Sequence, residues 1–375
     1  MIGYLAMKVL FILPEYPPMF GGGISTFYSL LLPALVRRGI NVTAIVGSGC
    51  AAGPNSYIHA GVKVLPLDQQ RLQRFRSSFD HLALTPDLVR HLAASWAAWD
   101  QSHGGEGYDV IECTDWGLFF VPWLLKQSNP SLLIRLHGSA GQIALYENHR
   151  GYDQSDSATQ LIEASLVARA ALRSTISKDN QLFWKEHTLQ DVQYCPPPYE
   201  APKQDSSCCP RSLRGLVVGR IQIWKGPETL CDAIRILGSS APVIDWVGRS
   251  VVSPDGINTY SNQLVARYPD VWGSKVIPLP QEAPDAIAKR QAGAGFVIVP
   301  SNWDVFNFTA VEAMAQGCVV ICSEGAGAAD LIRHGENGYL FEAENPEQLA
   351  NQIRAVQNLT LHEQAQIGCA AQNTI

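Results

Sequence analysis

The chain has 375 residues, a length that predicts two domains, each large enough to bury its own core. Hydrophobic residues make up 46% of it and charged residues 17%, which excludes a disordered or fibrous protein. The formal net charge of −6 argues against a general nucleic-acid-binding protein, because such a protein presents a basic surface to phosphates.

The first half of the sequence alternates short apolar runs with stretches of helical periodicity. The apolar runs predict strands at residues 8–13, 41–46, 62–66, 110–112, 132–136 and 174–177. Apolar residues at helical spacing predict helices at 25–38, 86–99, 116–127 and 158–172. Strands that alternate with helices predict a parallel sheet built from βαβ units.

Three consecutive glycines, Gly21, Gly22 and Gly23, stand between the first predicted strand and the first predicted helix. Glycines before a helix let backbone N–H groups approach phosphate oxygens closely. The dinucleotide-binding fingerprint G-x-G-x-x-G is not met, because Thr26 stands where its third glycine would be. The sequence therefore leaves two interpretations open, a phosphate-binding loop and a mobile loop.

A proline run at 196–198 and an aperiodic polar stretch at 203–212 interrupt the alternation and predict a linker. Beyond it, strands are predicted at 213–218, 243–247, 276–279, 295–299 and 318–322, and helices at 227–237, 260–268, 284–291 and 309–316. We assign a first lobe to residues 1–198, a second lobe to 199–355 and a helical tail to 356–375. Two doubly wound α/β lobes facing across a cleft would place a ligand at the carboxyl ends of their strands.

Two cations, Arg220 and Lys225, follow the first predicted strand of the second lobe and flank a turn. The planar fork of arginine and the point charge of lysine together suit a diphosphate. The alternative is a pair of solvated surface cations, and the position after a strand end favours the diphosphate.

Two carboxylates, Asp304 and Glu312, follow the predicted strand at 295–299. We expect Asp304 in a loop and Glu312 in the first turn of the next helix, at most ~12 Å apart if the segment is helical. That separation is about the reach of a nucleotide sugar, and free N–H groups at the helix N-terminus would face a diphosphate between them. The alternative is a helix-entry aspartate and a solvated glutamate.

Together these motifs resemble those of the family-4 retaining glycosyltransferases, which have the GT-B fold. The resemblance is dense over 213–342 and looser over 8–195. The matching segments are Gly21-Gly22-Gly23, Val218-Gly219-Arg220, Lys225-Gly226, Pro300-Ser301, Asp304-x7-Glu312 and residues 330–341.

The resemblance implies roles for individual residues. Glu312 would hold the ribose hydroxyls, and Asp304 would bind hydroxyls of the transferred sugar. Arg220 and Lys225 would clamp the diphosphate and stabilise it as it leaves. His137 matches the active-site histidine of the family, with a structural role as the alternative. The donor site would also include Phe306 and Asn307 and the backbone N–H groups of Gly22, Gly23, Phe308 and Thr309. The resemblance also implies that the helical tail at 356–375 crosses back onto the first lobe.

The sequence departs from the family pattern at several positions. The first carboxylate of the motif is usually Glu and is Asp304 here, a following Gly is Asn307, and a later Glu is Asp330. The proline run 196–198 replaces a usual Pro-Asn-Gly. Shortening a carboxylate by one methylene moves its oxygens by roughly an ångström, so the identity of the sugar is the property most affected.

The resemblance implies a retaining hexosyltransferase that moves a glucose-type sugar from a nucleotide-sugar, by default UDP-linked, to a saccharide or lipid-linked acceptor. The product would enter polysaccharide or glycoconjugate synthesis. No Asp-x-Asp pair occurs in the sequence, so we expect no metal and no other cofactor. Same-face attack is favoured over a covalent intermediate on Asp304. The alternatives are a non-catalytic sugar-nucleotide-binding subunit and a nucleotide-sugar epimerase.

We expect a cytoplasmic protein. No apolar run approaches the ~18 residues of a membrane-spanning helix. The nine cysteines are an odd number without C-x-x-C spacing, which free thiols in a reducing compartment explain most simply. Arg71, Arg74 and Arg76 form a basic patch that is a candidate for weak peripheral contact with an anionic membrane; a solvated helix face is the alternative.

Overall fold

The computed structural model describes residues 6–18, 22–47, 55–126, 130–147, 154–200, 212–252 and 258–375. The chain folds as two compact units, Met1–Pro198 and Tyr199–Ile375. The division follows the proline run, whose rings fix the backbone and can continue neither a helix nor a central strand. Within the described ranges, no helix has the length and the apolar character that crossing a membrane requires.

The first unit is built on an eight-stranded sheet in the order β3-β4-β2-β1-β5-β6-β7-β8. Only the pair β3–β4 is antiparallel; the other neighbours run parallel. The strands are β1 (Lys8–Leu13), β2 (Asn41–Val46), β3 (Tyr57–His59), β4 (Val62–Pro66), β5 (Val110–Thr114), β6 (Ser131–Leu136), β7 (Leu172–Thr175) and β8 (Gln193–Tyr194). The helices are α1 (Gly23–Arg37), α2 (Gln69–Ser78), α3 (Pro86–Gln101), α4 (Val121–Lys126), α5 (Ala140–Tyr146), α6 (Gln154–Val167) and α7 (Lys178–Thr188).

The second unit has a six-stranded, wholly parallel sheet in the order β11-β10-β9-β12-β13-β14. Its strands are β9 (Gly215–Val218), β10 (Ile244–Val247), β11 (Val276–Leu279), β12 (Phe296–Val299), β13 (Val320–Ser323) and β14 (Tyr339–Phe341). Its helices are α8 (Pro227–Leu237), α9 (Tyr260–Arg267), α10 (Pro284–Gly293), α11 (Phe308–Ala315), α12 (Pro346–Gln357) and α13 (Leu361–Gln372).

Both sheets are buried on their two faces, as their strand sequences require. In β1 the five residues after Lys8 are all buried, and in β12 all four residues are buried. Continuous apolar strands of this kind are typical of parallel sheets that helices cover on both sides. The central strands of each sheet therefore form a rigid base for the loops that follow them.

The strand order creates one crevice in each unit. In the second unit the chain passes from β9 outward to β10 and β11 and then returns to β12, which lies on the other side of β9. The loops after β9 and β12 therefore leave the sheet in opposite directions. In open α/β sheets, ligands bind at such a switch point, outside the carboxyl ends of the strands. The corresponding strands of the first unit are β1 and β5.

Two predicted helices of the first unit differ from the observed ones by more than two residues at an end. The helix predicted at 116–127 begins only at Val121, because Gly117 and Leu118 adopt left-handed conformations, with φ of 87° and 56°. The helix predicted at 158–172 ends at Val167, and Leu172 already belongs to β7. The apolar residues of these segments were correctly identified as structured, but their periodicity did not separate turn, helix and strand.

The last two helices pack within the second unit, α12 against α8 and α13 against α11. Gly368 in α13 lies so close to the chain that an added Cβ would stand 2.2 Å from the Gly317 carbonyl oxygen. Close backbone approach of this kind needs a glycine. The return of the tail to the first lobe, which the resemblance implies, stays a prediction.

Candidate functional site

Two loops dock against each other at the switch point of the second sheet. One follows β9 and contains a short 3-10 helix, Ile223–Lys225; the other follows β12. The Asn302 backbone N–H donates to the Trp224 carbonyl oxygen at 2.9 Å. Gly226 has φ of 70°, and a Cβ there would stand 1.8 Å from the Pro300 carbonyl oxygen. Only glycine fits this close approach, which places Lys225 against the loop after β12.

Lys225 and Asp304 form a buried ion pair at this junction. The Nζ atom of Lys225 donates to Oδ2 of Asp304, and the two side chains are only 17% and 14% exposed. Burial lowers the pKa of Lys225, Asp304 opposes that shift, and the nearby charge of Arg220 lowers the pKa further. The structure thus brings Lys225 and Asp304 into contact, with Arg220 near enough for its charge to act on Lys225. A bound anion would stabilise the two cations, which the protein holds close together and partly desolvated.

The backbone of Asp304 is held by the segment that follows β13. Its N–H donates to the Gly325 carbonyl oxygen at 2.8 Å, and its own carbonyl accepts from the Gly327 N–H at 3.0 Å. A Cβ on Gly325 would stand 2.2 Å from the Asn302 carbonyl oxygen. This segment was not predicted from the sequence to belong to the site, although its glycines are the signal that marks a close backbone approach.

Asn307 and the start of α11 lie next to the ion pair. The Nδ2 atom of Asn307 donates to Asp304 Oδ2 at 2.9 Å, so its side chain does not cap the helix. The first backbone N–H groups of a helix have no acceptor within the helix. Those of Phe308 and Thr309 can therefore donate to a bound anion. The Thr309 hydroxyl donates to the Val218 carbonyl at 3.3 Å and ties α11 to β9.

Phe306 and Phe308, predicted as donor-binding residues, have buried side chains. Their rings pack edge-to-face with centroids 5.2 Å apart. The Phe306 carbonyl accepts from the Ala328 N–H at 2.7 Å. These contacts leave the backbone N–H groups, rather than the rings, as the parts that can meet a ligand.

Glu312 lies in the second turn of α11, and the prediction of a first-turn position was wrong. The helix begins at Phe308, one residue earlier than predicted, so Glu312 is its fifth residue. Burial raises the pKa of Glu312 to about 7, which a weak hydrogen bond from Gln291 Nε2 at 3.5 Å opposes. Burial and the charge of Glu312 together raise the pKa of Tyr199 to about 12.

Gln291 and Tyr199 were not identified from the sequence. Gln291 is buried, and its Nε2 also approaches the Thr309 carbonyl at 3.4 Å, so it bridges α10 and the first turn of α11. Tyr199 follows the proline run directly. Neither residue belongs to a motif, and each reaches Glu312 only through the tertiary fold.

In the first unit, Gly22 and Gly23 lie at the start of α1, as predicted from the sequence. Helix α1 begins at Gly23, and the Gly22 carbonyl accepts from the Thr26 N–H at 3.1 Å. The first turn of α1 carries no acidic residue, which keeps its N-terminus favourable for an anion. Gly21, the other glycine of the predicted motif, lies outside the described residues.

His137 follows β6 and is held by its backbone and its ring. Its N–H donates to Asp115 Oδ1 at 2.9 Å, and its ring packs against Phe27 and Tyr28 at centroid distances of 4.7 and 5.3 Å. Burial and the charge of Arg135 lower the pKa of His137 well below its ordinary value, so its imidazole is neutral. Its Nε2 is buried and has no partner among the described residues.

Asp115 is a buried carboxylate that was not predicted from the sequence as a site residue. It directly follows β5, and it also accepts from the Gly138 N–H at 3.1 Å. Burial raises its pKa to about 7, although the backbone N–H donors, among them that of His137, oppose the shift. Asp115 therefore fixes the backbone on which His137 stands. Its position at the end of a central strand was the available signal.

The arginines of α2 are largely occupied by carboxylates. Arg71 Nε and Arg74 Nη2 both contact Asp100, at 2.8 and 2.9 Å, and Arg71 Nη1 also contacts Asp68 at 2.9 Å. These pairs favour the interpretation of this patch as a solvated helix face over a membrane contact. Among the residues that the structure describes, no group of three or more His, Cys, Asp or Glu side chains could hold a metal ion.

Two family models match the chain, one in each unit. The model described as "Glycosyl transferase 4-like domain" matches residues 22–181. The model described as "Glycosyl transferases group 1" matches residues 213–374.

Curated relatives are glycosyltransferases. A D-inositol 3-phosphate glycosyltransferase of Rhodococcus opacus is 28% identical over 264 residues, which are 66% of this chain and 59% of the relative. An uncharacterized glycosyltransferase of Methanocaldococcus jannaschii is 25% identical over 372 residues, which are 92% of this chain and 87% of the relative. The match spans 58–60% of the length of the three Rhodococcus relatives.

Solved structures share the fold. Sucrose-phosphate synthase from Thermosynechococcus elongatus superposes with a TM-score of 0.78 at 20% identity and covers 98% of this chain and 94% of its own. Anabaena HepE, solved with UDP-glucose, superposes with a TM-score of 0.68 at 18% identity and the same coverage. The two parallel-sheet α/β units of this chain are those of the GT-B fold.

Proposed function

We propose that this chain, a glycosyltransferase of the GT-B type whose residues 213–374 match the group 1 model, transfers a hexose from a UDP-linked donor with retention of anomeric configuration. The acceptor that we propose is a saccharide or a lipid-linked saccharide, and the product would enter polysaccharide or glycoconjugate synthesis in the cytoplasm. The free state of the described cysteines supports this location. The UDP-glucose complex of HepE supports the choice of nucleotide and sugar.

The observation that carries the proposal is the partly desolvated cation pair at the switch point. Lys225 is held there by Asp304, Arg220 lies close enough to lower its pKa, and the uncapped start of α11 is adjacent. This arrangement suits a diphosphate, which accepts charge-assisted hydrogen bonds from the cations and from helix N–H groups. Glu312, five residues into α11, would accept hydrogen bonds from the ribose.

The proposed reaction needs no covalent enzyme intermediate. An acceptor hydroxyl forms a bond to the anomeric carbon on the face from which the diphosphate leaves. The bond between the anomeric carbon and the phosphate oxygen breaks, and that oxygen takes the proton of the acceptor. Arg220 and Lys225 stabilise the charge that develops on the leaving diphosphate. We propose no metal or cofactor for this step.

His137 is proposed to contact substrate at the first unit's sheet edge. Its neutral imidazole carries a buried Nε2 without a partner among the described residues, so it can exchange a hydrogen bond with a sugar hydroxyl. The backbone N–H groups of Gly22 and Gly23, at the start of α1, are proposed to donate hydrogen bonds to the diphosphate of the nucleotide sugar.

Calorimetry and turnover together test the proposal. We expect UDP to bind more tightly than GDP or ADP, and a panel of UDP-hexoses to release UDP in the presence of saccharide acceptors. Lys225→Ala and Glu312→Ala should each abolish turnover, whereas the surface control Lys185→Ala, 60% exposed, should not. Nuclear magnetic resonance of the product should show the α-anomer from an α-linked donor, with or without a chelator.

The outcomes separate the proposal from its rivals. Nucleotide binding without transfer, across all donors and acceptors tested, would instead identify a binding subunit. Conversion of one UDP-hexose into another would identify an epimerase. Absence of nucleotide binding would refute a donor site at Lys225.

A further inference from the structure

The orientation of the Asn307 side-chain amide is determined by its neighbour. Its Nδ2 atom donates to Asp304 Oδ2 at 2.9 Å. In the flipped orientation the amide oxygen would face a carboxylate, and two acceptors would repel each other. The amide oxygen Oδ1 must therefore point away from Asp304, where it is buried and has no donor among the described residues.

The backbone of Asn307 has a conformation that favours glycine. Asn307 has φ of 77°, in the left-handed region that glycine adopts without strain. The family pattern has glycine at this position, so the fold alone does not require a side chain here. Asn307 therefore adds an amide to a position where the backbone would be more relaxed without one.

Neighbouring loops contain further buried polar atoms without partners among the described residues. These are the Oγ of Ser301 in the same loop, and Gln222 Nε2 and Trp224 Nε1 in the loop after β9. A buried polar atom without a partner is costly, and native sites satisfy such atoms with water or ligand. A sugar hydroxyl that donates to Asn307 Oδ1 would supply the partner that this atom lacks within the described part of the chain.

We propose that Asn307 is a specificity-determining residue for the transferred sugar, and that its Oδ1 accepts a hydrogen bond from one sugar hydroxyl while Asp304 accepts from another. This inference rests on the proposed function, because it places the sugar beside Asp304. The amide recognises the hydroxyl at one position of the sugar. A nucleotide sugar that lacks this hydroxyl leaves Oδ1 buried and without a hydrogen-bond partner. Sites built to bind a hydroxyl discriminate strongly against analogues that lack it.

The test combines changes in the enzyme with changes in the donor. The wild type and Asn307→Gly are compared by kcat/KM with UDP-glucose and its 2-, 3-, 4- and 6-deoxy analogues, or with the same set for another hexose that the wild type prefers. We expect the wild type to penalise one of the four analogues by about 10²-fold or more through Asn307. In Asn307→Gly that one penalty should shrink by at least about tenfold, and the other three should keep their values.

Two controls keep the comparison interpretable. Glycine accepts the left-handed backbone, so Asn307→Gly should fold, and an unchanged melting temperature together with UDP binding by calorimetry verifies this. Asn351→Ala removes an exposed amide on α12, whose Oδ1 accepts from Arg354 at 2.9 Å, and should leave all four penalties unchanged.

Two results would overturn the inference, and they differ from failure of the proposed function. If Asn307→Gly changes kcat/KM by the same factor for every donor, the amide only positions Asp304 or binds water, and glycosyl transfer still stands. If no analogue is penalised in the wild type, no hydroxyl is recognised there. If the wild type transfers no hexose at all, the proposed function fails and this inference fails with it.

Discussion

Replacement of Arg135 by methionine should strongly destabilise the first unit. Arg135 Nε donates to Glu112 Oε1 at 2.6 Å and Nη2 donates to Oε2 at 3.1 Å, and the two side chains are 8% and 6% exposed. Glu112 Oε1 also accepts from the Tyr28 hydroxyl at 2.8 Å. Methionine fills a similar length but leaves the Glu112 carboxylate buried with one neutral donor.

The magnitude follows from the uncompensated charge. Removal of one partner of a buried ion pair costs about 3–5 kcal/mol. A folded domain is stable by only about 5–15 kcal/mol, so this is a large fraction of the total. The first unit has 198 residues. For domains of that size 1 kcal/mol moves the melting temperature by ~2–4 °C, so Arg135→Met should lower it by roughly 6–20 °C.

Differential scanning calorimetry of single and double variants checks this reasoning. Glu112→Gln combined with Arg135→Met removes both charges, so the double variant should melt above Arg135→Met alone. Arg214→Met is the matched control in the second unit, because Arg214 is 46% exposed in its pair with Asp245. Exposed pairs contribute about 0–1 kcal/mol, and this variant should melt close to the wild type.

Two results would refute the argument. One is a melting temperature of Arg135→Met within about 2 °C of the wild type, which corresponds to less than about 1 kcal/mol. The other is a double variant no more stable than Arg135→Met, since the unpaired carboxylate would then not be the source of the loss.

Three further predictions concern protonation and close packing. UDP affinity should fall as pH drops from 8 to 6, because the pKa of Glu312 is about 7 and its protonated form accepts fewer hydrogen bonds. Calorimetry should show that the UDP affinity of Glu312→Gln depends less on pH than that of the wild type. If the two affinities changed in parallel with pH, Glu312 would not be the group that titrates. Gly226→Ala should lose more than about 3 kcal/mol in thermal denaturation, since its Cβ would overlap the Pro300 carbonyl, whereas Gly293→Ala, with open space around it, should be neutral or gain up to about 1 kcal/mol. Burial and the charge of Arg90 lower the pKa of His91 to about 4. Below about pH 6.5 the unfolded chain protonates His91, whereas the folded chain does so only near pH 4. The free energy of unfolding, measured by urea denaturation, should therefore fall through this group by about 1.4 kcal/mol per pH unit between pH 6.5 and 4. An equal slope in His91→Gln would show that other groups cause the fall.

Elements with clear local signals were predicted from the sequence with their observed bounds. The strands at 8–13, 41–46, 62–66 and 276–279 are continuous or alternating apolar runs of strand length. Helix α8 begins with Pro227 and stops before Gly238, two residues that mark helix ends by their backbone geometry. These features depend on neighbouring residues alone, so a linear sequence contains them.

Short and paired elements were not predicted, for a physical reason. Strands β3 and β14 have only three residues each, too few for a period to show. Strand β3 exists because it pairs antiparallel with β4, and that pairing is a tertiary contact. Helix α5 owes its start to the capping box of Ser139 and Gln142, which apolar periodicity does not detect.

The sequence by itself determined the two α/β units and the residues at their strand ends, because hydrophobic periodicity and motif spacing are local properties. It also identified Lys225, Asp304 and Asn307, but only as separate positions. The tertiary structure alone decided that Oδ2 of Asp304 accepts hydrogen bonds from Asn307 and from Lys225, which is 79 residues away from Asp304 along the chain. That contact depends on the order of β9 and β12 in the sheet and on the close approach at Gly226, and strand order is not encoded in the spacing of residues along the chain.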